Sequence, residues 1–270
     1  MNWNALLALS VTQWDFHPER VALLLLIGAL YVDGVFVIGR RWGEHASRAQ
    51  ILSFALGWSI LALTIASPLH HLADYYLFSA HMVQHELITL IVPPLLLLGT
   101  PGWLIRPLLN HPWVITAGRS QIYPVVAFGA FHLFFSLVHL PAIYDQVFKI
   151  EVVHAGIHGV LLVTGLLTWL PIFSPVPDLI PRLSVPGQML YCFLATFPAT
   201  LVGAMITLSD GSLYTYYNTA GPLAFGISPI DDQAVGGLIM WVIGGTYYYA
   251  LLTALFFMWA RREEVHAYGA

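Results

Sequence analysis

The chain has 270 residues, of which 58% are hydrophobic and 9% charged, with a mean hydropathy of +0.75 and a formal net charge of −4. Soluble domains carry about 45–50% apolar and about 25% charged residues, so the composition excludes an ordinary soluble domain. The near-neutral charge, with no basic block, gives no footing for nucleic acid, and a single cysteine, Cys192, excludes a disulfide framework and a Cys-x-x-Cys motif.

No Lys or Arg precedes Arg20, so residues 1–19 lack the positive region of a signal peptide, and the first apolar run is expected to drive membrane insertion and to remain. A bilayer core of about 30 Å needs about 20 apolar residues in a helix. Seven runs meet this need: 21–38, 51–66, 78–98, 122–140, 152–173, 188–208 and 234–260. The fold class expected is all-α, a polytopic membrane protein forming a single bundle of seven transmembrane helices over residues 1–270, with short connections except 209–233. Arg40, Arg41, Arg48, Arg106, Arg119, Arg182, Arg261 and Arg262 fall on one side, and only Arg20 and Lys149 on the other. By the positive-inside rule the N-terminus is outside and the C-terminus cytoplasmic.

Within the runs, Pro93-Pro94 is expected to kink or end the third span and Pro198 to bend the sixth. Ala155 with Gly159, and Gly236-Gly237 with Gly244-Gly245, read as small residues that let helices approach closely. Trp14, Trp42, Trp103, Trp113, Trp169 and Trp259 lie near run ends, where an interfacial aromatic belt is expected.

Twelve histidines are many for such a chain, and six fall inside the runs. They are His81 and His85 in the third, His132 and His139 in the fourth, and His154 and His158 in the fifth. Residues four or seven apart share a helix face. With the orientation above, His81, His139 and His154 lie close to the outer surface, and His85, His132 and His158 lie deeper, roughly 10 Å in at 1.5 Å per residue. A lone intramembrane histidine is more often a hydrogen-bonded packing device than a ligand. Six on three consecutive spans, in a solvent where polar groups are costly, point to a metal or haem site. Imidazole suits copper, zinc, iron and nickel, and thioether donors favour copper. Met205 and Met240 lie in the outer halves of their spans, while Met82 points about 100° away from His81 and is expected to pack. Cys192 reads as a plain buried residue. Haem remains open, because histidines from two helices can supply both axial ligands.

Other polar residues have two readings each. His70, His71 and Asp74, and Asp231 and Asp232, either form an acidic mouth that concentrates cations or are solvated loop residues. Glu86, beside His85 but about 100° around the helix, can serve a proton or bond a histidine N–H. Asp33, deep in the first run, either pairs with Arg40 or Arg41 or serves function.

The run SPLHHLADYYLFSAHMVQHELITLIVPPLLLLGTP and the later DDQAVGGLIMWVIGG resemble the polytopic CtaG-type cytochrome c oxidase assembly factors over essentially all the spans. The resemblance is carried by His81-Met82-Val83-Gln84-His85, by Pro93-Pro94 through Gly99-x-Pro101, and by Asp232-Gln233 followed by Gly236-Gly237 and Met240-Trp241. Glu86 departs from the apolar residue expected there. The resemblance implies a seven-span plasma-membrane (inner-membrane) protein, not an enzyme, that helps mature a haem–copper oxidase subunit by handling copper for its CuB centre. The alternatives are a copper or proton-coupled transporter, which needs polar groups continuing inward where only Asp33 and Thr196 are evident, and a haem-binding redox protein.

Overall fold

The computed structural model describes residues 17–218 and 225–268, with Asn4, Ala8 and Trp14; side chains are described to Glu264. Most of the N-terminal stretch read for a signal peptide, and residues 219–224 of the long connection, lie outside the described residues. Among the described residues every regular element is helical.

In chain order these are α1 (Pro18–Trp42), α2 (Arg48–Ile65), α3 (Pro68–Tyr75), α4 (Phe78–Gly99), α5 (Gly102–Leu109), α6 (Pro112–Arg119), α7 (Tyr123–Val138), α8 (Pro141–Val147), α9 (Glu151–Phe173), α10 (Val185–Thr207) and α11 (Pro229–Glu264). Six helices are long and apolar enough to cross a membrane, and there are seven spans if α6 and α7, bent by 87°, count as one. The chain is a multi-pass membrane protein.

Local chemistry sets many of the boundaries. Ser47 and Gln50 form a reciprocal capping box at the start of α2, their side chains accepting from Gln50 N (3.2 Å) and Ser47 N (2.9 Å). Gly43, at φ 71°, ends α1 in the left-handed conformation a side chain would strain. Pro18, Pro68, Pro112, Pro141 and Pro229 each sit in a first helical turn, where the missing N–H costs nothing.

Helix α4 is the centre. In α4, 72% of the apolar window is buried inside the protein, against 22–44% in the other five long helices, which give most of their surface to lipid. It packs on α2, α3, α9 and α11, while α1 lies outside α2, and α10 bridges α7 and α11. The α10–α11 seam is close: a Cβ on Gly237 would stand 2.3 Å from Thr207 Oγ1, and one on Gly203 2.9 Å from Gly237 O. Gly236 and Gly244 are equally confined, by Phe78 and Glu86. Gly159 and Gly245 differ from expectation, since a Cβ there would meet open space. Gly159 instead borders a 110 Å³ cavity between α1, α2 and α9.

Pro93-Pro94 neither ends nor breaks α4. A π-turn over Leu87–Ile91 precedes the prolines and the helix continues to Gly99. Proline at 93 removes the N–H that Thr89 O would accept, and Trp169 Nε1 in α9 donates to that oxygen instead (2.8 Å). Trp169 is therefore a buried partner of α4, 1% exposed, and not part of an interfacial belt; Trp42 and Trp113 are exposed as a belt requires.

Contacts across connections sort the loops into two ends. Arg106 donates to both oxygens of Asp178 (2.7 and 2.9 Å), Arg119 donates to Asp178 O (2.8 Å), and Gly39 abuts Trp103. The Arg106 guanidinium bonds hold the exposed Asp178 carboxyl below its usual range. The arginine-rich loops thus share one end. Arg20, Asp74, Asp145, Tyr217 and Asp232 share the other, linked by contacts such as Asp145 to Thr215 and Tyr217 to Ala73. Asp33 is exposed along α1 and makes no ion pair with Arg40 or Arg41 among the described residues.

A candidate metal site of stacked histidines

Helix α4 is set by its N-terminus. The first turn of a helix has unpaired N–H groups, and Asp232 from α11 accepts from Phe78 N (2.7 Å) and Ser79 N (3.3 Å) and from the Ser79 hydroxyl. Asp232 is thus a cap supplied across the bundle and not a residue of a solvated mouth. Gln233 beside it accepts from Leu213 N (2.6 Å) and donates to Ile206 O (3.1 Å), fixing the start of the long connection. With α4 so held, its faces divide the labour. His81 and His85 meet α9; Gln84 meets α2, donating to Thr64 O (2.9 Å) and His70 Nδ1 (3.1 Å); Glu86 meets α11.

The structure brings five of the six predicted histidines into one buried stack. Ring centroids are 4.2 Å apart for His81–His85, 5.3 Å for His81–His158, 5.2 Å for His81–His154, 4.6 Å for His154–His158 and 5.0 Å for His85–His139. Two sets of three groups can each converge on a metal ion, with one donor atom per residue and all within 4.8 Å of one another: His81, His85 and His158, and Asp74, His81 and His154.

The hydrogen bonds order the tautomers. A carbonyl only accepts, so His139 Nδ1 donates to Phe135 O (2.6 Å), leaving His139 Nε2 as an acceptor. His85 Nδ1 therefore donates to it (3.1 Å), which leaves His85 Nε2 with its lone pair facing His158 Nε2 at 3.1 Å. A tetrahedral ion with metal–nitrogen bonds of about 2.0 Å holds its donors about 3.3 Å apart, so an ion fits where His85 and His158 now share a proton. His81 Nδ1 is buried with no hydrogen-bond partner beside them. His139 sits behind His85 as the group that orients a ligand through its other ring nitrogen. Tyr214 in turn donates to His139 O (2.8 Å).

Aromatic rings close the site at the Asp74 end. Phe148 lies against His81 (5.0 Å) and His154 (4.1 Å), and Tyr144 against His81 (5.7 Å). At the same end His70 Nε2 is 3.3 Å from Asp74 Oδ2, and Arg20 contacts the same ring nitrogen. His70 and Asp74 are thus buried members of the site, where the sequence offered solvated loop residues as an equal reading. Arg20 was legible only as a basic residue at a span end, since its use depends on how α1 leans on α3.

His132 does not join the stack. It is buried among Phe128 and Phe131, both ring nitrogens lack partners, and it shares a cavity of about 10 Å³ with Glu86, Thr89, Gly244 and Tyr248. The expected pairing of depths fails because α7 ends at Val138 and its exit residue His139 is level with His85, leaving His132 two turns further along. Glu86 makes no bond to the stacked histidines among the described residues; its Oε2 faces Gly244. Met82 and Met240 are fully buried in the apolar core, and Met205 is exposed along α10, so none of these three thioethers lines the stack.

A model of the cytochrome c oxidase caa3 assembly factor family matches residues 29–262. Uncharacterised proteins of Mycobacterium bovis, Mycobacterium tuberculosis and Mycobacterium leprae are each 26% identical over 271 residues, an alignment covering 94% of this chain and 40% of the relative. The chain spans about two-fifths of the length of these relatives. No solved structure matches.

Proposed function

Because the chain belongs to the cytochrome c oxidase caa3 assembly factor family, we propose that it supplies copper to a nascent haem–copper oxidase subunit. The ion is cargo, held between His81, His85 and His158 and released laterally toward the subunit that receives CuB. The observation that carries this reading is the convergence of three buried imidazoles, one with an orphaned nitrogen, in a bilayer interior where such groups are costly. Three imidazoles and no thiolate make an open set, suited to an ion that must leave again. The role is non-catalytic. Membership of an oxidase assembly family supports the plasma membrane as the setting, and the positive-inside rule puts the arginine-rich end in the cytoplasm and the site in the outer half.

Haem is the weaker fit. The histidine rings touch one another, and the cavity adjoining His158 is 110 Å³, apolar and without room for a macrocycle. Transport of copper is the second reading, favoured by Glu86 and His132, which line a cavity further along the bundle. Copper flux into proteoliposomes would promote it.

The assembly reading is tested in a deletion strain complemented with wild type or with His81→Ala/His85→Ala, assaying oxidase activity with and without added copper. Wild type restores activity, the double variant does not, and added copper relieves part of the defect. Undiminished oxidase activity in the deletion strain contradicts the reading.

A further inference from the structure

The stack contains two sets of converging donors, not one, and they share a residue. We propose that Asp74, His81 and His154 form a second metal site, through which copper reaches the histidine triad by ligand exchange about His81; the inference rests on the copper reading above. His154 Nε2 and His81 Nδ1 are the orphaned nitrogens of this set, and their residues are 4% and 1% exposed. Neither nitrogen has a protein partner among the described residues, and His154 Nδ1 stands 3.8 Å from Asp74 Oδ2, so the ring of His154 lies against the carboxylate with which it would share an ion.

The two sets lie in series. His154 precedes His158 by one turn of α9, with the rings 4.6 Å apart, and His81 precedes His85 by one turn of α4, with the rings 4.2 Å apart. Glu151, one turn before His154, is exposed, so the Asp74 set lies between the surface and the triad. An ion at the first site gives up Asp74 and His154 and gains His85 and His158 while His81 stays bound, so no step leaves it without protein donors.

Asp74 suits the first position on two grounds. Its carboxylate offsets the Arg20 guanidinium, which contacts His70 in the same cluster and would otherwise repel a cation. A carboxylate is a harder donor and suits copper less well than an imidazole does, so the first set holds copper more weakly than three imidazoles, which favours onward movement to the inner set. His70 positions Asp74, being 3.3 Å from Oδ2 and anchored by Gln84 through its other nitrogen.

The test uses the purified full chain in detergent, mixed with Cu(II) sulfate. The bound copper is measured against time by rapid desalting and atomic absorption. Asp74→Asn and His154→Gln are expected to fill at least tenfold more slowly than wild type while reaching the wild-type copper content, and Asp74→Glu to recover most of the rate. Wild-type filling rates in both Asp74→Asn and His154→Gln overturn the second site and leave the triad standing. A wild-type protein that takes up no copper overturns the copper reading itself, and this inference with it.

Discussion

At the scale of single residues, the histidines divide by what lies behind each ring. His85 is aimed by His139, whose own ring is fixed by the Phe135 carbonyl, so one backbone oxygen sets a chain of tautomers that turns the His85 Nε2 lone pair toward His158. Replacing His139 by Phe keeps the bulk and removes the acceptor; copper affinity should fall about 10–100-fold in chelator competition, the usual cost of losing an orienting partner. His132→Phe should leave affinity at the wild-type value, since His132 faces Glu86 and the α10–α11 side. The pairs His81/His85 and His154/His158 were legible in the sequence because four-residue spacing fixes a helix face whatever the tertiary structure. The exclusion of His132 was not, because it depends on where α7 ends.

At the scale of elements, the third span is an interrupted helix repaired from outside. Its prolines are visible in sequence, but its repair is not: it takes a π-turn and an indole donor 80 residues away. Trp169→Phe leaves Thr89 O buried without a donor, which should cost about 1–3 kcal/mol and lower the unfolding temperature in detergent. Asp232→Ala removes the cap of α4, at a cost of about 0.5–2 kcal/mol on the same measurement, while the exposed Asp231→Asn should change little. These losses act on the helix that carries His81 and His85, so the Asp232-Gln233 signature bears on the site through the position of α4. That link was not legible in sequence, since Phe78 and Asp232 are 154 residues apart.

At the scale of the whole molecule, the spans were legible from apolar length alone, although α11 (Pro229–Glu264) runs past the expected 234–260 at both ends, and α7, found where 122–140 was expected, reaches span length only together with α6, bent by 87°. The sorting of loops into two ends was also legible from arginine placement, and the Arg106–Asp178 tie joins two of the loops so assigned. A C-terminal reporter active only in the cytoplasm should be active, and a periplasm-dependent one silent; the reverse would place the histidine stack in the inner half and remove the outward route to it. The central claim is that His81, His85 and His158 together hold one copper ion. The most direct test is the copper content of the purified chain after dialysis against a weak chelator, for wild type, His85→Ala/His158→Ala and His132→Ala. About one copper per chain in wild type and in His132→Ala, with loss in the double variant, is expected; equal copper in wild type and the double variant would contradict the account.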